Sequence, residues 1–153
     1  MTRVILLDAG PLGLVTKRVG VPEADACRNW AAHCISQGVS VHVPAIAYYE
    51  VSRELVRSGK SAGMARLDSY CGAVADRYLR LTDLALRNAA RLWADARSIG
   101  MPTAGRDALD ADVILAAQAL DLGLPKSDYV VATTNVGHLA RFVPAALWTD
   151  IIP

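Results

Sequence analysis

Four short runs of apolar, β-forming residues, "RVILL", "VSVHV", "YLRL" and "DYVVATT", alternate along this chain with stretches of helical period, and "ALWTDI" closes the series. No other feature narrows the fold so far. Strands separated by helices are joined by crossovers, and crossovers build a parallel sheet with helices on both faces. "RVILL" is a continuous apolar run, as a parallel strand covered on both faces is. The expected class is therefore α/β, a single domain over residues 1–153 with a parallel sheet. Ligands of such sheets bind beyond the carboxyl ends of the strands. That rule directs attention to Asp8, which ends "RVILL" before the loop "AGPLG", and to Asn135, which follows Thr133 and Thr134.

Between the strands, residues Glu23 to about Gln37 have helical period, with Ala26, Trp30, Ala31, Cys34 and Ile35 on one face and Gly38 as the stop. Pro44 suits a first helical turn, from which "AIAYYEVSRELVRSG" runs to Gly59. "SAGMARLDSYCGAVADR" reads as a helix with Ser61 as N-cap, and "DLALRNAARLWADARSIG" as one with Leu84, Ala89, Leu92 and Ala96 inward. "MPTAGR" is a loop, and "VGHLARF" one or two helical turns.

A chain of 153 residues buries roughly 70% of its unfolded surface without disulfides. Its 53% apolar content contains no run near the about 18 residues of a membrane span, and Asp8 comes too early for a secretory segment. Cys27, Cys34 and Cys71 are odd in number and lack C-x-x-C spacing, so they read as small buried hydrophobes in a reducing cytoplasm. The net charge of +1 conceals a basic middle: Arg53 to Arg106 holds ten Lys or Arg against five acids. Such a stretch can steer a polyanion.

The helix "DALDADVILAAQAL" raises the question of chemistry, because three carboxylates stand at its start. Asp107 at the N-cap and Asp110 in the first turn gain from the helix dipole. Asp112 lies in the second turn beside the stripe Leu109, Val113, Ala116, Ala117, Leu120 and Leu124, while Ile114, Leu115 and Leu122 make the far side apolar too. An uncompensated carboxylate there costs several kcal/mol, so it calls for a cation. Asp8 (otherwise a turn former) and Glu50 (otherwise a partner of Arg53 or Arg57) are placed to share it, and Asn135 adds a neutral oxygen. Hard oxygen ligands of this kind suit Mg²⁺ or Mn²⁺. Zinc is disfavoured, since His33, His42 and His138 do not fall at ligand spacing.

The order "LLDAGPL", "PAIAYYEVSREL", "LDADVILAAQAL", "VVATTNVGHL" resembles the PIN-domain nucleases, which include the toxins of VapBC-type toxin–antitoxin pairs. The likeness runs from Arg3 to about Trp148. It implies a single PIN-like domain, a five-stranded parallel sheet in the order 3-2-1-4-5 with helices on both faces, dimerisation, and a small antitoxin that blocks the site. Residue by residue it makes Asp8, Glu50 and Asp112 the metal ligands, and sets Thr133 and Asn135 at the family's fourth position. The fullest family pattern has Asp where Asn135 stands, so a second metal site loses a charge here.

The expected activity is that of a Mg²⁺- or Mn²⁺-dependent endoribonuclease hydrolysing phosphodiester bonds of single-stranded or structured RNA. Arg53, Arg57 and Lys60 are the candidates for holding the RNA backbone. Tyr48 and Tyr49 could stack on bases, but beside Ile46 at helical spacing they read first as core and interface residues; His138 could touch RNA, with capping or packing the favoured reading. The alternative is a catalytically weak PIN-fold module that binds RNA or docks a protein and has no need of metal. A phospho-acceptor receiver would want a second acid near the first strand and a Lys near the last. A haloacid-dehalogenase phosphatase would want a second Asp where Gly10 stands.

Overall fold

The computed structural model describes residues 2–100 and 106–153, with backbone alone for 106 and 107. β1 (Val4–Leu7) lies at the centre of a five-stranded sheet. β2 (Ser40–Pro44) and β3 (Tyr78–Leu79) extend it on one side, β4 (Tyr129–Thr133) and β5 (Ala145–Leu147) on the other. The order is 3-2-1-4-5 and every pairing is parallel, as expected. Ile5 pairs with Val41 and with Val130, and Leu7 with Ala132.

Side chains alternate across the sheet, and each face has its own core. Ile5, Leu7, Val41, Val43, Val130 and Ala132 pack with α1 (Ala9–Val15), α2 (Pro22–Ser36), α3 (Ala45–Arg57) and α4 (Ser61–Gly72). Leu6, Tyr129 and Val131 pack with Leu115, Ala116 and Ala119 of α6 (Arg106–Leu120) and with Leu139 of α7 (Val136–Leu139). A second face of α6, through Leu109, Val113 and Ala117, meets Ala85, Ala89 and Ala96 of α5 (Asp83–Ser98). Two covered faces explain why α6 is so apolar, although Leu120 and Leu124 at its end remain partly exposed.

Several local expectations change. "AGPLG" is not a loop but most of α1, capped by Asp8. Pro11 is tolerated because it sits in the first turn, where its missing N–H has no helical partner. In α2 the buried positions are Ala24, Cys27, Ala31 and Cys34, while Ala26 and Ile35 are exposed. In α5 Ala89, Leu92 and Ala96 face inward as expected, but Leu84 is 57% exposed and Ala85 is buried in its place. α4 is capped at Lys60 rather than Ser61 and stops at Gly72, five residues early, ahead of a loop in which Asp76 has φ 62°. The last strand is only Ala145–Leu147, followed by a 3₁₀ turn at Trp148–Asp150. Asp107 falls inside α6; its capping, like the reading of 101–105 as loop, lies outside the described residues. The three cysteines are free and buried, and burial pushes the Cys27 thiol up to about 12 and the Cys71 thiol up to about 11. No described helix is long and apolar enough to cross a membrane.

Candidate metal centre

The site begins where β1 and β4 end side by side. The Asp8 N–H donates to Ala132 O at 2.9 Å, which brings Asp8 against the last residue of β4. That residue, Thr133, is fully buried, and its hydroxyl donates to Asp8 Oδ2 at 2.8 Å. Asp8 Oδ1 accepts from Ala9 N–H at 2.8 Å, and the Asn135 N–H donates to Thr133 Oγ1 at 3.0 Å. One carboxylate thus caps α1 and is tied to β4. The Asn135 side chain is exposed and makes no cap bond to α7. Burial pushes the Asp8 carboxyl up even though both hydrogen bonds pull it down.

The close fit of α1 over this corner depends on Gly10. A Cβ there would stand 2.5 Å from Thr134 Oγ1 and 2.7 Å from Thr134 Cγ2. Gly10→Ala is therefore expected to cost about 1–2 kcal/mol and lower the melting temperature by several degrees. Adding Thr134→Ala should restore most of the loss, which calorimetric melting of the single and double variants checks.

Glu50 and Asp112 face Asp8 from α3 and α6. Burial pushes Glu50 up to about 7, the Asp8 charge adds to this, Arg53 opposes it, and Asp112 adds a smaller push. Asp112 is pushed up to about 6 by burial and then by Asp8, against the pull of His138 and Arg141. Three half-buried acids that destabilise one another's charge form a field that a cation would relieve. No three acid, His or Cys side chains among the described residues are gathered at the distance needed to share an ion. The cluster is open. Mg²⁺ keeps several waters and takes only one or two carboxylates directly, so ions could be held here only with some of these acids acting through water. The donors are all hard oxygens, so the residues present suit the ion that the sequence suggests.

The expected backbone-binding residues divide. Arg57 is held by Glu54 at 2.8 Å, and Arg53 lies over the Tyr49 ring with Glu50 at 4.0 Å. Lys60 lines a groove of about 600 Å³ that starts at Glu50 and runs between α1, α3 and α4. Leu14, Val51 and Leu55 form its apolar floor, with Lys17 and Arg66 beside Lys60. Lys17, Arg66 and Arg141 were missed from the sequence. Lys17 follows a helix read as a loop, and nothing local marks the other two. Tyr48 donates to Asp68 at 2.7 Å, the His138 carbonyl accepts from Arg141 Nε, and Tyr49 is 55% exposed rather than in the core.

No family model and no curated protein matches the sequence. Solved structures do share its fold. The structure of VapBC2 from Rickettsia felis bound to a promoter DNA fragment matches with a TM-score of 0.71 at 12% identity, covering 95% of this chain and 98% of that one. VapBC-1 from nontypeable Haemophilus influenzae gives 0.67 at 17% identity, over 96% and 99% of the two chains. FitAcB from Neisseria gonorrhoeae gives 0.67 at 20%, over 96% and 99%. The likeness is one of fold and spans nearly the full length of each chain.

Proposed function

We propose that this PIN-fold chain is the toxin of a toxin–antitoxin pair and a divalent-metal-dependent endoribonuclease. The observation that carries the reading is the proximity of Asp8, Glu50 and Asp112 at the carboxyl rim of β1 and β4: burial raises all three, and the Asp8 charge further raises Glu50 and Asp112. Asp8, Glu50 and Asp112 are the residues that would hold Mg²⁺ or Mn²⁺, with Asn135 and Thr133 beside them. Bound there, the ion supplies Lewis acidity: a water of lowered pKa and charge to offset the scissile phosphate. Thr133 keeps the Asp8 carboxylate turned toward the rim through its 2.8 Å bond. Glu50, raised to about 7, is partly protonated at neutral pH and would give up that proton on binding a cation.

The RNA backbone is assigned to the basic side of the groove. Lys60→Ala is expected to weaken RNA binding several-fold and reduce the salt slope by about one, as loss of one phosphate contact does. Arg57→Ala should change little, because its guanidinium is engaged by Glu54. Fluorescence anisotropy at a series of salt concentrations distinguishes them. The solved structures that share the fold are of VapBC and FitAcB assemblies, and by that likeness a small antitoxin is taken as the partner. Homodimerisation is assigned to the apolar shelf between α5 and α6, where Leu86 is 46% and Trp93 36% exposed. The activity is tested by incubating the purified chain with RNA in Mg²⁺ and in EDTA. Cleavage only with the metal is expected; equal results in both would leave the docking-module alternative.

A further inference from the structure

Helix α3 carries Glu50, yet it starts without a cap of its own. Its N-cap residue is Pro44, which has no side-chain acceptor, so the first amides of α3 need a partner from elsewhere. That partner comes from α6. Gln118 is 3% exposed, and its Oε1 accepts from Ile46 N–H at 3.1 Å. Its Nε2 donates to Leu79 O at 3.0 Å, on the edge strand β3. Both ends of the amide are used, and among side chains of this length only an amide offers a donor and an acceptor together.

We propose that Gln118 is a positioning residue that caps α3 from within α6 and so sets the distance between Glu50 and Asp112. Glu50 lies one turn beyond Ile46, about 6 Å along α3, and Asp112 lies about 9 Å back along α6 from Gln118. The clamp joins the two helices that bear two of the three acids, and among the described residues no salt bridge joins them. Leu79 extends the tie to β3, whose pairing with Pro44 fixes the point at which α3 leaves the sheet. The role in the centre rests on the metal reading above; the cap itself does not.

Two measurements on the full chain test it: hydrogen exchange at the Ile46 amide, and Mn²⁺ titration by calorimetry. They are made on the wild type, Gln118→Met, Gln118→Glu and, as a core control distant from the rim, Val41→Ala. Gln118→Met should speed Ile46 exchange at least about tenfold beyond the change at other core amides and weaken Mn²⁺ binding about tenfold, the usual effect of losing an outer-shell partner. Gln118→Glu keeps the acceptor, so it should retain Ile46 protection and bind Mn²⁺ within about threefold of wild type. Val41→Ala should lower stability and leave Mn²⁺ affinity within about twofold. Gln118→Asn, one methylene short, gives the same test in a milder form should the Met variant not fold. Unchanged Ile46 exchange in Gln118→Met overturns the proposal. So does wild-type Mn²⁺ affinity in that variant, or an equal loss in Val41→Ala. Absence of Mn²⁺ binding in the wild type would overturn the metal reading instead, and Ile46 exchange would then decide the cap by itself.

Discussion

Asp112→Asn is expected to abolish metal-dependent RNA cleavage while making the metal-free protein more stable. The two effects have one cause. Asp112 sits half-buried in the second turn of α6, where burial and the Asp8 charge push its carboxyl up to about 6. At pH 7.5 it is ionised in the fold at a cost that the unfolded chain does not bear. Asn has nearly the same shape and no charge, so the cost vanishes. Allowing for solvent screening and for the lost attraction of His138 and Arg141, the gain is about 1–2 kcal/mol, a rise of a few degrees in melting temperature. The activity should fall more than about 100-fold, because loss of a residue that merely supports a ligand already costs 10–100-fold. Asp8→Asn should lose activity similarly with less gain, since Asp8 also caps α1 and accepts from Thr133. Melting curves in EDTA and cleavage rates in Mg²⁺ give both readings. An Asp112→Asn protein that cleaves at the wild-type rate, or that melts lower in EDTA, would contradict this account.

The stability of the metal-free protein should fall as pH rises from about 4.5 to 7.5. Glu50 has its folded value raised to about 7 from 4.5, and Asp112 to about 6 from 3.8. Below about pH 4 both are protonated in folded and unfolded chains, and they contribute no difference. Between the unfolded and folded values the native state holds protons that the unfolded state has released, so each unit of pH favours unfolding. Above about pH 8 both states are ionised and the penalty is complete. After discounting for partial exposure, the sum is on the order of 2–3 kcal/mol. This slope is opposite in sign to that of an ordinary ion-paired carboxylate. Saturating Mn²⁺ should remove or reverse it, because binding requires the deprotonated acids and releases their protons. Chemical denaturation at pH 5, 6, 7 and 8, with and without Mn²⁺, checks both signs. Stability that rises steadily over that range in EDTA would show that the acids do not repel one another in the fold.

Much of the architecture was legible because it rests on periodicity. "RVILL" and "DYVVATT" are apolar on both faces, which only a covered parallel strand requires, and both lie at the sheet centre. The rule that ligands sit beyond strand ends led to Asp8 and Asn135, and the apolar wheel of α6 singled out Asp112 from its two acidic neighbours. Asp8, Glu50 and Asp112 lie within electrostatic reach of one another in the fold, and Asn135 is linked to Asp8 through Thr133. Where tertiary context overrides local pattern, the sequence was a poorer guide. Gly10 and Pro11 suggested a loop, yet the cap from Asp8 and the tight contact with Thr134 hold a helix there. On α5 the inward residues Ala89, Leu92 and Ala96 were legible, but Leu84 was chosen over Ala85 because both are apolar, and only the close approach of α6 selects the smaller. Lys17 and Arg66 flank the groove through contacts between α1 and α4 that no spacing encodes. Gln118 is one polar residue in an apolar run; its meaning depends on Ile46 and Leu79, seventy-two and thirty-nine positions away.

The central claim, that Asp8, Glu50 and Asp112 make a divalent-metal centre, is tested most directly by titrating Mn²⁺ into the wild type and Asp112→Asn at pH 7.5 by calorimetry. Saturable binding to the wild type with proton release, and none to a folded Asp112→Asn protein, is the predicted result. Equal binding to both proteins, or none to the wild type, would contradict it.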